Sequence, residues 1–375
     1  MANVSKLLHN SVDENFLSNI EADQTLLRNA RTKIRDRLRH AFETSSAEHF
    51  GVLVRPKFFT QGSFAYKTLN HPAFPPNQQK DLDDGCYLPL SFVRGEKPSK
   101  AAEAFFKFVE AALSELAHEE GWTLITTKAT CVRLVISRDG HIDIPLYAVP
   151  DDDVRHLVEA RNMQKSVAFD AKVDSWEALP SDAVLLAHRD KDWIESDPRK
   201  IYDWFVDAVS LYQERLRRDC RYMKAWRDHH RLDDEGLTSI NIMACVWKAY
   251  EEIRGPFLPD RSDERLLRVV AKMQSYLSND VRIPPCGDEN INRMTTEQRK
   301  KVVAQLKELE AKLREVVTKC DDKIRAVDLL RNGFGSRIPQ RPDLVSIAAV
   351  SPAAIVLSEP KKAVAAPEVG RSISG

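Results

Sequence analysis

The sequence predicts an α+β protein. Strand-like segments dominate residues 52–149, and from about Pro198 onward the apolar pattern becomes helical. Two further observations give that fold a direction. Gln61-Gly62-Ser63 closes one strand candidate, Asp81-Leu82-Asp83 opens the next, and His141-Ile142-Asp143-Ile144-Pro145 lies on a later one. Side chains alternate along a strand, so Asp81 and Asp83 share a face while Leu82 points into the core.

The elements follow in order. Residues 21–48 form a long helix, with Leu27, Ala30, Ile34, Leu38 and Phe42 on its apolar face. Arg28, Arg31, Arg35 and Arg39 read as its solvated face. Residues 52–59 are a strand, residues 71–80 a proline-containing loop and residues 81–90 the next strand. Residues 101–117 repeat Phe105, Val109, Ala112 and Leu116 at helical spacing. Residues 123–127, 131–137 and 141–149 are strands, with Asp139-Gly140 as a hairpin turn. Residues 201–229 and 239–253 read as single amphipathic helices. Residues 295–330 form another, opened by a Thr295-x-x-Gln298 capping box and carrying Val302, Leu306, Leu309, Leu313 and Val316 on its seam. From Gln340 the chain is expected to be a disordered tail. The expected divisions are a backing helix in 1–50, a catalytic core in 51–195, a helical lobe in 196–339 and a flexible tail in 340–375.

Composition narrows the classes. The 375 residues are 43% hydrophobic and 30% charged with a net charge of zero, which offers no general grip on nucleic acid. No apolar run is long enough for a membrane span, and the N-terminus lacks the apolar core of a signal peptide. The six cysteines include no C-x-x-C pair, so they read as reduced cytoplasmic thiols rather than a zinc site.

The motifs themselves carry chemistry. Two carboxylates plus a third on a neighbouring strand can hold two Mg²⁺ ions about 3.5–4 Å apart, the clamp that in-line phosphoryl transfer uses. Asp81, Asp83 and Asp143 are thus the candidate metal ligands of a nucleotidyltransferase. Gly62 lets backbone approach a triphosphate, and the Ser63 hydroxyl can donate to its oxygens. No P-loop motif exists in the chain. Asp84 should face away from this cluster, and His141 reads as structural rather than as a general base. Lys224, inside the apolar run Tyr222-Met223-Lys224-Ala225-Trp226, needs an anionic partner if buried, which a triphosphate supplies; a snorkelling surface lysine is the alternative. A two-residue Asp139-Gly140 loop puts Arg133 on the face opposite Asp143, whereas a three-residue loop from Arg138 puts both on one face.

Residues 61–66 (QGSFAY), 81–90 (DLDDGCYLPL), 141–150 (HIDIPLYAVP), 193–199 (WIESDPR), 221–228 (RYMKAWRD) and Thr238-Ser239 resemble successive motifs of the bacterial cGAS/DncV-like nucleotidyltransferases of anti-phage signalling. The DncV-type cyclic GMP-AMP synthases are most similar. That resemblance implies a two-lobed, polymerase β-like fold with a mixed catalytic sheet and a helical lobe. It implies ATP and GTP joined through 3′–5′ bonds in two steps, with pyrophosphate released twice, and Mg²⁺ or Mn²⁺ as cofactor. Carried onto this chain, Lys224 and Ser239 contact the donor triphosphate, Gln61, Gly62 and Ser63 belong to the nucleotide-binding set, Tyr66 stacks on a base, and Arg133 and Ser196 contact bases and influence purine choice. Core packing is the alternative for Tyr66. Other cyclic di- or trinucleotides, a template-independent RNA nucleotidyltransferase and a catalytically dead nucleotide-binding protein remain as rival readings. The cysteines form no zinc ribbon, so activation by DNA is not expected. The resemblance also implies a ubiquitin-type E1/E2 partner acting on Gly375.

Overall fold

The computed structural model describes residues 1–9, 21–89, 98–149, 184–253 and 258–347. Strands β2 (Lys57–Gln61), β3 (Lys80–Pro89), β4 (Thr123–Ile125), β5 (Cys131–Ser137) and β6 (Gly140–Val149) form a sheet in the order β2-β3-β6-β5-β4. It is mixed: β3 and β6 run parallel, and the other pairs along this path are antiparallel. Strand β7 (Leu185–His188) pairs with the end of β6 and with β8 (Asp192–Glu195). Strand β2 starts later than the sequence suggests, just after Pro56, which has no N–H to give a ladder.

Alternation sends Leu82, Leu134, Ile142 and Ile144 to one face of the sheet, where helices α2 (Glu21–Phe50) and α4 (Pro98–Glu120) cover them. A one-turn helix α3 (Gly62–Ala65) follows β2. Short elements β1 (Ala2–Asn3) and α1 (Ser5–Leu8) precede all of this and belong instead to the other lobe.

That lobe is helical: α5 (Pro198–Tyr212), α6 (Glu214–His229), α7 (Ser239–Ile253), α8 (Ser262–Ser278), α9 (Thr296–Thr318) and α10 (Lys323–Phe334) share one core. Two stretches expected as single helices are broken. Gln213 takes φ +61, a left-handed conformation that ends α5 and starts α6, although the apolar spacing runs on across it. Asp322 caps α10 through the N–H groups of Ile324 and Arg325, so 295–330 is two helices. The capping box at Thr295 is present.

Three other expectations are corrected. Residues 340–347 are not tail: Val345 is buried, and β9 (Ser346–Ile347) pairs antiparallel with β1. The chain's first residues therefore are not an extension of the backing helix but one strand of that pair. Arg35 is not a solvated residue, because Asp84 draws it inward: Nε and Nη2 donate to the two carboxylate oxygens at 2.7 and 2.6 Å. Among the described residues no helix is long and apolar enough to cross a membrane.

Candidate active site

Register assembles the site. Across neighbouring strands Gln61 lies opposite Asp83, Asp83 opposite Asp143, and Asp143 opposite Arg133. Two residues along, Asp81 lies opposite His141 on the same face. Asp84 falls on the other face as expected, where Arg35 and the Thr60 hydroxyl (2.8 Å) satisfy its carboxylate. Gly62 adopts φ +68, and a Cβ there would lie 2.0 Å from Asp83 Oδ2, so only glycine allows the turn and the carboxylate to coexist.

Arg133 meets Asp143 through a fork: Nε donates to Oδ1 at 2.6 Å and Nη2 to Oδ2 at 2.7 Å. Neither loop weighed from the sequence produces this register. The chain turns through Arg138 and Asp139, with Ser137 opposite Gly140 and a bulge before Ser137 that restores the same-face pairing.

Three carboxylates gather here with one guanidinium among them. Burial, then the charges of Asp81 and Asp143, push the Asp83 carboxyl well above the usual carboxylate range. Ligand atoms of Asp81, His141 and Asp143 lie within 4.8 Å of one another. Asp81 Oδ1 and His141 Nε2 lie 3.1 Å apart, outside hydrogen-bond geometry, and neither has another hydrogen-bond partner among the described residues. Excess negative charge, hard oxygen donors and orphaned lone pairs fit a divalent cation.

The helical lobe contributes the opposite wall of a cleft of about 260 Å³, lined by Ser63, Asp81, Arg133, His141, Lys224, Arg227 and Ser239 among others. Lys224 is buried and donates from Nζ to Ser63 Oγ at 2.9 Å and to the Thr68 carbonyl at 2.7 Å. Burial, with Arg227 nearby, pushes its ammonium down to about 7. Arg227 Nη1 donates to Ser239 Oγ at 3.0 Å, at the start of α7. The sequence reading missed Arg227 as a site residue, although it lies three positions beyond Lys224 on the same helix.

Other candidates fall elsewhere. Tyr66, 7% exposed, packs against Tyr202 and Phe205 in the helical-lobe core, the alternative left open for it rather than a base-stacking pose. The Gln61 side chain is held in a buried tyrosine pair: its Nε2 donates to Tyr147 Oη at 3.0 Å and its Oε1 accepts from Tyr87 Oη at 3.3 Å. It positions the turn rather than facing the cleft. Ser196 stands just ahead of α5, its N–H bonded to the Val184 carbonyl, and does not line the cleft. Gly375 lies outside the described residues.

A mixed sheet bearing a D-x-D pair and a third aspartate, closed by a helical lobe with a buried lysine, defines a nucleotidyltransferase. The family model for the DncV-like cyclic GMP-AMP synthase nucleotidyltransferase domain matches residues 56–147, and that for the cyclic GMP-AMP synthase C-terminal domain matches 213–347. A cyclic GMP-AMP synthase from Vibrio cholerae is 33% identical over 319 residues, 80% of this chain and 71% of that protein. One from Escherichia coli is 32% identical over 327 residues, with the same two shares. A crystal structure of Vibrio cholerae DncV cyclic AMP-GMP synthase with the linear intermediate 5′-pppA(3′,5′)pG matches with a TM-score of 0.78 at 26% identity, covering 93% of this chain and 99% of that one. The chain belongs to the DncV-like cyclic GMP-AMP synthase family of nucleotidyltransferases.

Proposed function

We propose that this chain condenses ATP and GTP through 3′–5′ bonds into 3′,3′-cyclic GMP-AMP, with Mg²⁺ as cofactor and release of two pyrophosphates. The observation that carries the reading is the convergence of both lobes on one cleft: Asp81, Arg133 and His141 line it from the sheet, with Asp83 and Asp143 beside them in register, and Lys224, Arg227 and Ser239 line it from the helices. Relatives named for this product, one of them solved with a linear pppA(3′,5′)pG, support it.

In this reading Lys224, Arg227 and Ser63 bind the donor triphosphate; among the described residues no carboxylate hydrogen-bonds to Lys224 or Ser63, while Arg227 pairs with Asp228. Bound divalent ions supply a Lewis acid for the phosphoryl oxygens and a lowered pKa for the attacking hydroxyl. Asp81, Asp83 and Asp143 hold those ions, and Mn²⁺ fits the same oxygens. Arg133 orients Asp143 and, turned from it, reaches a purine edge with its fork, where Arg-to-guanine pairing is bidentate. A second-messenger role in anti-phage defence, a cytoplasmic location and an E1/E2-type partner at Gly375 belong to the same reading and rest on the resemblance alone.

The test is incubation of purified protein with Mg²⁺ and each pair of labelled nucleoside triphosphates, then phosphatase and separation of products. A phosphatase-resistant mixed ATP/GTP product is expected. A ladder identifies an RNA-tailing enzyme, and a resistant product from one nucleotide alone identifies another cyclic product. Asp81→Ala, Asp83→Ala and Asp143→Ala should each cut turnover by at least 10²-fold with the fold retained by circular dichroism. Wild-type turnover in any of them removes that residue from the site.

A further inference from the structure

The sequence pattern makes His141 a structural residue, and its surroundings say more. Gln79 Nε2 donates to the Arg138 carbonyl at 3.2 Å, which turns Gln79 Oε1 toward His141 Nδ1 at 2.9 Å. An acceptor at Nδ1 makes Nδ1 the protonated nitrogen, so the neutral ring carries its lone pair on Nε2. That nitrogen lies 3.1 Å from Asp81 Oδ1. The residue is 7% exposed, and neither Nε2 nor Asp81 Oδ1 has a partner in hydrogen-bond geometry.

Two lone pairs at that separation repel unless a proton or a metal ion lies between them, and the pair lacks the geometry of a hydrogen bond. Adjacent ligands of an octahedral ion at about 2.1 Å sit about 3 Å apart, close to the spacing observed. An Asp143 oxygen completes a set within 4.8 Å, although the same carboxylate also accepts from Arg133. The Gln79 contact is the kind of outer bond that fixes the tautomer of a metal-ligating histidine.

We propose that His141 Nε2 is a nitrogen ligand to a divalent cation it shares with Asp81 and Asp143. The inference rests on the metal-dependent reading above and deepens it. Imidazole suits first-row transition ions better than Mg²⁺, so this ligand tilts the site toward Mn²⁺.

The experiment uses the full chain without nucleotide, with Mn²⁺ as the probe. Electron spin echo modulation of bound Mn²⁺ should show a ¹⁴N coupling that changes to the ¹⁵N pattern when histidine alone is ¹⁵N-labelled. His141→Gln should abolish that coupling and weaken Mn²⁺ binding about tenfold or more, with a smaller loss for Mg²⁺ measured by competition. Bound Mn²⁺ that shows no nitrogen coupling, or a coupling that survives His141→Gln, overturns the proposal. If Asp81→Asn and Asp143→Asn still release that Mn²⁺, the carboxylate site stands without the histidine. If wild type binds no Mn²⁺, both the proposal and the metal reading fall.

Discussion

Lys224 shows how one residue couples protonation to substrate. Its buried ammonium has a hydroxyl and a carbonyl as acceptors, and burial pushes it down to about 7. The unfolded chain keeps a lysine at its usual value, so between about 7 and that range it binds more protons, and stability rises with pH. A triphosphate reverses the balance by favouring the charged form. At pH 8 binding of a non-hydrolysable triphosphate should therefore take up close to one proton, seen as a calorimetric heat that depends on the buffer's ionisation enthalpy. Affinity should fall as pH rises above 7, approaching tenfold per unit. Lys224→Met should weaken binding and remove the uptake; the same uptake in that variant assigns the proton elsewhere. A lysine inside an apolar run made this residue legible in the sequence. Arg133 was legible only up to its face, because a one-residue bulge decides the register and no residue type announces it.

At the scale of elements, the pair Arg35–Asp84 ties α2 to β3 beside the D-x-D pair. Asp84 is 1% exposed on its side chain and Arg35 15%, so both charges are largely withdrawn from water. Removing one partner of such a pair strands the other, at a cost of about 3–5 kcal/mol. Arg35→Ala should lower the urea-unfolding free energy by about that much, and Arg35→Met with Asp84→Leu should recover most of it. A loss below about 1 kcal/mol in Arg35→Ala would show that Thr60 and water are sufficient for Asp84. The sequence displayed a stripe of arginines, and stripes are commonly solvated. Periodicity located the helix well and said nothing of its polar face, since the acid that pulls Arg35 inward comes from a strand 49 residues away. Breaks within long apolar runs were hidden for a related reason: the spacing of Phe205, Leu216 and Trp226 does not record a single left-handed Gln213.

Across the whole molecule, the two lobes meet through polar bonds and through the rings of Phe59 and Tyr66 against Tyr202, while residues 2–8 and 345–347 fasten the helical lobe alone. Asn70 Nδ2 donates to the Arg221 carbonyl at 2.8 Å, Arg217 Nε to the Tyr66 carbonyl at 3.0 Å, and Gln78 Nε2 to the Asp228 carbonyl at 3.1 Å. By contrast Val4, Leu7 and Leu8 lie in the helical-lobe core, and the buried Asp263 carboxylate accepts from the Val4 N–H at 2.8 Å and the Ser5 hydroxyl at 3.0 Å. The β1–β9 pair closes the same clip. None of this was legible in the sequence, because two-residue strands carry no periodicity and the Val4–Asp263 bond spans 259 positions. The clip should therefore act on the helical lobe selectively. Leu8→Ala should cost about 2–5 kcal/mol of that lobe's stability through the cavity it leaves. Hydrogen exchange followed by mass spectrometry should then show faster exchange in α7 and α8, with β3 and β6 keeping wild-type protection. Equal loss of protection in β6 would mean that this clip braces both lobes together, and that the seam between them transmits stability as strongly as a single core.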